Sequence, residues 1–221
     1  MSTEGQPPTI LESAPPATAK AEPAGPGFRY GLWLANLRSI QEEFYAYRDY
    51  APVGPEATRG SGQILPFVRG LYLSAKIIYF IREVLHAKDL NVNWGHIIHE
   101  TQIYCSPECD IIIHKHKSAR VWNGDVLDFH FVDTKHVVAV VSCKSEVNSI
   151  DDEYYKKMTA FGITRVGLIG EVASRTNFDN LRSKAQAAGY ADFWCLALQD
   201  ALGRAHNEPS LVQFIQFLEA L

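Results

Sequence analysis

Large apolar residues recur at spacings of three and four over residues 30–50, with Trp33, Leu37, Ile40, Phe44 and Tyr47 on one stripe. That period predicts an amphipathic helix. Pro52, Gly54 and Pro55 end it, and a Pro/Gly-rich connector fills residues 51–62. A second helix is expected over residues 66–86, with Leu71, Ala75, Ile78, Ile81 and Leu85 on one face. The period then shortens toward two. Residues 94–104 read as a strand, Ser106-Pro107 as a turn, and 109–114 and 136–141 as strongly β-branched strands. Residues 118–125 are polar and turn-rich, and 126–132 form an extra extended piece. After Lys144 the periods alternate: helix 151–161, strand 164–169, helix 178–188 closed by Gly189, strand 192–198 and helix 209–221.

Adjacent strands in the first half predict antiparallel pairing, and strands separated by helices in the second half predict parallel pairing. The fold class expected is α/β, a mixed sheet flanked by helices. Residues 1–27 hold few large apolar side chains among Pro, Ala, Ser, Thr and Glu. Such a segment cannot bury enough surface to offset its ordering entropy, so a disordered tail is expected there. The helix and connector of residues 28–60 follow, and then one domain over 61–221. The Trp33–Tyr47 stripe has two readings: packing onto that domain, or a contact surface for another subunit.

Composition narrows the function classes. The net charge of −4 gives no global basic signal. Any contact with nucleic acid must then come from a local basic face or a partner. No run of about 18 apolar residues is present, and the N-terminal residues lack a basic-then-apolar signal pattern. Of the four cysteines Cys105, Cys109, Cys143 and Cys195, two lie inside apolar runs. Reduced thiols and a cytoplasmic location are expected.

The residues that invite chemistry are charges placed at the ends of apolar strands. Asp110 stands beside Ile111-Ile112-Ile113, and Lys144 follows Val138 to Cys143. Strict alternation puts Asp110 on a face with Ile112 and His114, and Lys144 on a face with Val138, Val140 and Ser142. A charge at such a position costs several kcal/mol unless a partner or metal compensates.

An aspartate ending one strand and a lysine ending the next resemble the PD-(D/E)XK nuclease superfamily. The likeness runs over residues 67–198. It is carried by Glu108-Cys109-Asp110-Ile111-Ile112-Ile113 and Val140-Val141-Ser142-Cys143-Lys144-Ser145. Similar strands occur in a bacterial branch of the superfamily. The resemblance implies a restriction-endonuclease-like αβββαβ core and a Mg²⁺-dependent nuclease, with Mn²⁺ as a substitute. Its substrate would be DNA, in a bacterial defence-type system. It further implies that Asp110 and the backbone carbonyl of Cys143 hold the cation. Lys144 would orient the attacking water and stabilise charge on the phosphate.

Ser142 departs from the family pattern, which has Asp or Glu two residues before the lysine. Some members with Ser-x-Lys take the acid from the following helix. Asp151, Asp152 and Glu153 open that helix here, although a helix N-terminus attracts such residues in any case. Glu146 would share the lysine's face if the strand extends that far, and Glu100 on the preceding strand is another source. The leading helix of the related branch carries an acid near its start, where Ser74 stands here, with Glu83 later. If both acids are absent, the domain binds nucleic acid or a protein partner without cutting.

Other signals carry less. Cys105, Cys109, His114 and His116 have zinc-like spacing, but alternation sets the cysteine and the histidines on opposite faces. His114 and His116 share Asp110's side, as strand residues or as helpers at the phosphate. Lys115, Lys117, Arg120, Lys135, Lys156 and Lys157 form either a basic rim or ordinary solvated surface. Phosphate-binding glycine loops, a calcium loop and a nucleophile elbow are absent from the sequence.

Overall fold

A computed structural model describes residues 26–50, 65–99, 105–115, 119–123 and 128–221. Residues 1–25 of the expected tail, the connector, Glu100, His116 and Lys117 lie outside the described residues.

Five helices and eight strands follow along the described residues: α1 (Pro26–Tyr50), α2 (Leu65–Val84), β1 (Asn91–Ile98), β2 (Cys109–His114), β3 (Ala119–Asn123), β4 (Asp128–Asp133), β5 (Val137–Val147), α3 (Asp152–Ala160), β6 (Val166–Ser174), α4 (Phe178–Ala188), β7 (Phe193–Asp200), β8 (Gly203–His206) and α5 (Glu208–Glu219). The strands form one sheet in the order β3-β4-β1-β2-β5-β6-β7-β8. The mixed α/β architecture with flanking helices is the one the sequence predicts.

Two apolar layers hold it. Ile111, Ile113, Val141 and Trp194 face α1, α2 and α5. Cys109, Ile112, Val140 and Phe193 face α3 and α4. Burial of side chains this large is the main source of stability. The helix α2 is apolar beyond its expected face, because Leu73, Ile77, Phe80 and Val84 are buried as well. It lies between the sheet and α1, and so needs two apolar sides.

Helix α1 belongs to that layer. Leu37, Ile40 and Phe44 are buried in the chain's own core, and Trp33 packs partly against it. Those three side chains are not an outer face for another subunit, because α2 and α5 already cover them. The side chain of Tyr47 lies outside the described residues.

The local pattern misplaces several strands. The first begins at Asn91 and ends at Ile98, earlier than expected. Residues 119–123 form β3 rather than loop, because its hairpin partner β4 supplies pairing that flanking turn residues obscure. β4 runs parallel to β1, against the antiparallel expectation for the first half. The β3–β4 hairpin docks as a unit on the free edge of β1, a direction that sequence adjacency does not encode. β8 has no apolar alternation to announce it and pairs antiparallel with β7 at the sheet edge. The parallel pairs β5–β6 and β6–β7 are as expected.

One irregularity positions the site. Asn93 pairs with Ile112, yet Gly95 pairs with Cys109, so β2 carries an extra residue opposite Trp94. This is a β-bulge, which bends a strand and re-aims its side chains. Its mark is plain in the core: Cys109 and Ile112 face the same layer although strict alternation would separate them. On the other side of β1, Gly95 has φ +151, and a Cβ there would stand 1.9 Å from the backbone oxygen of His130. A glycine is required for β4 to approach so closely.

Candidate active site

The bulge falls on Asp110. Its carboxylate turns across to β5, where Oδ2 accepts the backbone N–H of Cys143 at 2.8 Å and the hydroxyl of Ser142 at 3.1 Å. Both hydrogen bonds fall on Oδ2, so Oδ1 keeps its lone pairs for a ligand. Burial pushes the Asp110 carboxyl above the ordinary carboxylate range, and the nearby charge of Glu108 adds to that. The Cys143 N–H, the Lys144 charge and the Ser142 hydroxyl pull the other way without cancelling it.

Lys144 lies two residues beyond Ser142 on β5, and its side chain is exposed. Asp110, Ser142 and Lys144 line one cleft of about 480 Å³, together with Glu108, Trp94 and Ser74. Asp110 and Lys144 come from adjacent strands, as the sequence suggests, but Lys144 lies inside β5 rather than at its end. Cys143 presents its N–H to β2, and a strand residue directs its C=O to the same neighbour. Its thiol is fully buried, which raises its pKa well above the ordinary value. The residue would therefore offer a cation its carbonyl oxygen rather than a thiolate.

A second cleft of about 250 Å³ adjoins the first and shares Ser142, Lys144 and Tyr154 with it. Glu146 and Asp151 line this one. β5 does extend through Val147, so Glu146 stands two residues beyond Lys144 on the same strand. Asp151 caps α3, its carboxylate accepting the Tyr154 N–H at 3.1 Å. Asp152 and Glu153 line neither cleft; both are exposed, and Glu153 pairs with Lys156 at 3.1 Å. They sit where a helix terminus favours negative charge.

The remaining expectations separate by position. Ser74 does line the larger cleft, its hydroxyl donating to the Gly70 carbonyl at 2.9 Å. Glu83 instead faces α1, accepting from Asn36 at 2.8 Å, and takes no part in the cleft. His114 is buried at the far end of β2, 2.8 Å from the side chain of Asn93. It cannot assist at Asp110, four residues or roughly 13 Å along the strand. The alternation argument against zinc does not hold across the bulge, and Cys109 and His114 are instead kept apart by five residues, roughly 16 Å, along β2. Among the described residues no group of three or more His, Cys, Asp or Glu is placed to share a metal ion. Lys115 and Lys135 also belong to the far end of β2 and β5, with Lys135 paired to Asp133 at 3.2 Å. A basic rim around the cleft is therefore not assembled by these lysines, and the side chain of Arg120 lies outside the described residues.

Glu108 and Trp94 are among the cleft residues that sequence reasoning missed. Glu108 stands two positions before Asp110, inside the segment that carries the resemblance. Trp94 donates its indole N–H to Glu108 Oε1 at 2.6 Å. The spacing of Glu108 from Asp110 was a readable signal; the Trp94 contact required the fold.

The donor set suits a hard divalent cation. Mg²⁺ takes oxygen ligands, keeps several waters and is bound through one or two carboxylates. Asp110 Oδ1 and the Cys143 carbonyl are such donors.

No family model matches the sequence, and no curated protein matches it either. Solved structures do resemble the fold. NucC of P. aeruginosa ATCC27853 in its cAAA-bound form has a TM-score of 0.57 at 12% identity, over 86% of this chain and 90% of that chain. NucC of E. coli MS115-1 in its cAAA-bound form gives 0.54 at 12% identity, over 91% and 93%. The apo form of the E. coli protein gives 0.52 at 10% identity, over 89% and 92%. The chain shares the fold of these NucC structures over 86–91% of its length.

Proposed function

We propose that the chain is a Mg²⁺-dependent nuclease that hydrolyses phosphodiester bonds of DNA, as effector or subunit of a bacterial defence system. One observation carries this reading: Asp110 and Lys144, from adjacent strands, line a single open cleft. The fold shared with NucC supports it.

Asp110 Oδ1 and the Cys143 carbonyl would hold the cation, with Mn²⁺ as a substitute. The bound ion supplies Lewis-acid polarisation of the phosphate and a more acidic water. Lys144 lines the cleft and is exposed, and its ammonium would orient the attacking water and balance charge on the phosphate. The ladder bond that fixes Asp110 against β5 limits its motion, so the carboxylate is preorganised rather than recruited.

A second reading has its own observation. Ser74 and Ser142 put neutral hydroxyls in the cleft at the two positions where acids were expected. The alternative is a catalytically degenerate nuclease-fold subunit that binds nucleic acid or a protein partner.

Purified protein incubated with plasmid, linear and single-stranded DNA, with Mg²⁺ or Mn²⁺, separates the two. Cleavage by the wild type that is lost in Asp110→Ala and in Lys144→Ala supports the nuclease. Cleavage that survives both substitutions rejects this site. DNA retention on a filter without cleavage under any of these conditions favours the degenerate subunit.

A further inference from the structure

We infer that Glu108 supplies the second carboxylate of the cation site, in the role that Ser142 does not fill. The inference rests on the metal-nuclease reading above and names the ligand that reading leaves open.

The larger cleft contains two carboxylates, Asp110 at the start of β2 and Glu108 just before the strand begins. In a regular strand, residues two apart share a face, but the bulge between Cys109 and Ile112 interrupts that rule here. Cys109 is turned into the α3–α4 layer, and Asp110 is swung over to the Cys143 N–H. The result is that Glu108 and Asp110 open onto one cavity from either side of a buried cysteine.

Glu108 is held in place. The Trp94 indole N–H donates to Oε1 at 2.6 Å, and the Trp94 ring packs edge-on against Phe129 with centroids 4.8 Å apart. An indole nitrogen only donates, so it can fix a carboxylate oxygen without competing for a cation. This is the kind of outer contact that orients a metal-binding side chain. Glu108 is also exposed, so holding its charge incurs little desolvation before a cation arrives.

The competing acids are worse placed. Glu146 and Asp151 line the smaller cleft, which Asp110 does not line. Asp152 and Glu153 line neither. A magnesium site of two carboxylates, one carbonyl and several waters agrees with the preference of that ion.

The test is Mn²⁺ binding to the full chain, followed by electron paramagnetic resonance of the free ion, with thermal unfolding as the control for folding. Glu108→Gln is expected to weaken binding at least tenfold and to leave the unfolding midpoint nearly unchanged. Glu146→Gln and Asp152→Asn are expected to stay within about twofold of wild type, since neither side chain enters the larger cleft. Wild-type affinity in Glu108→Gln, or a loss confined to Glu146→Gln, overturns the assignment of Glu108 while leaving the cation site intact. Wild-type affinity in Asp110→Asn, or no Mn²⁺ binding by the wild type, removes the metal reading itself and this assignment with it.

Discussion

Asp110 accepts the Cys143 N–H at 2.8 Å, at the point where the β2–β5 ladder would otherwise set Cys109 against Cys143. The regular pairing stops at Ile111 and Val141, and a carboxylate replaces the next backbone acceptor. The strand ends can therefore part around the cleft without leaving that N–H unsatisfied, which would be costly in a buried setting. A structural bond and a candidate metal ligand are thus the same side chain.

That double role makes the charge at Asp110 a burden when no cation is bound. Its carboxyl is raised by burial, so the folded chain binds the proton more tightly than the unfolded chain. The sign follows from linkage. The stabilisation is greatest below the ordinary carboxylate range and is lost as pH rises through that range to the raised value. Asp110→Asn keeps an amide oxygen for the Cys143 N–H and removes the ionisation. We expect it to be more stable than wild type at neutral pH by about 1 kcal/mol without metal. The difference should shrink as pH falls through the raised value, where the wild-type carboxyl takes up its proton too. Urea unfolding of both proteins across that range, with chelator present, checks the sign. An Asn variant less stable at neutral pH would contradict it.

Ser142 is the complementary case. Its hydroxyl donates to Asp110 at 3.1 Å, so an acid placed there would meet Asp110 directly. Ser142→Asp is expected to destabilise the metal-free chain by about 1–3 kcal/mol, through like-charge contact and lost hydrogen bonding. Divalent cations should reverse this, because two carboxylates that repel each other attract a cation. Mn²⁺ affinity should rise at least tenfold, and the thermal shift on adding Mg²⁺ should exceed that of wild type. Differential scanning fluorimetry with and without Mg²⁺ reads both effects at once. A variant that is stable without metal and gains nothing from it would mean that residue 142 does not face the site.

The pattern of apolar residues was enough to reveal most of the fold, and physical reasons explain where it was not. Helices α4 and α5 and strands β5 to β7 carry long, unbroken periods, and each lies close to its expected place. Asp110 and Lys144 were legible because a charge beside Ile111-Ile112-Ile113 or at the end of Val138–Cys143 breaks an apolar run. The bulge was not legible. An extra residue leaves no compositional trace, yet it decides which way Cys109 and Asp110 point. Strict alternation therefore paired Asp110 with Lys144 by an incomplete argument, and its argument against zinc does not hold across the bulge. The acids were the hardest part, since Asp151, Asp152 and Glu153 satisfy a helix terminus regardless of catalysis. Glu146 and Glu108 could be sorted only by which cleft each enters.

Gly95 is a prediction that follows from the bulge. With φ +151 and only 1.9 Å from a hypothetical Cβ to the His130 oxygen, no side chain fits without moving β4 off β1. Gly95→Ala is expected to cost about 3 kcal/mol or more, combining backbone strain with a backbone clash. Trp94 is its neighbour, so the loss should spread to the cleft and weaken Mn²⁺ binding along with the fold. Chemical denaturation gives the first number, and binding measured well below the unfolding midpoint gives the second. A cost under about 1 kcal/mol would show that the edge strands relax freely and that the approach of β4 to β1 does not depend on Gly95.

Helix α1 provides the remaining test, because polar and apolar contacts both tie it down and their weights should differ. Phe44 is fully buried and stacks on Tyr72 with centroids 6.2 Å apart. Around it, Glu43 accepts the Tyr72 hydroxyl and pairs with Lys76 at 2.9 Å, and Arg38 pairs with Glu208 at 2.5 Å. Those pairs are largely exposed, and exposed ion pairs contribute little. Phe44→Ala is expected to cost about 3–5 kcal/mol, the range for deleting a buried aromatic side chain. Glu43→Ala should cost less than about 1 kcal/mol. Leu32 is 55% exposed, and Leu32→Ala should stay within about 0.5 kcal/mol. Urea unfolding of the three variants orders them directly. If Phe44→Ala were as mild as Leu32→Ala, α1 would not share a core with α2, and its stripe would again be available to another chain.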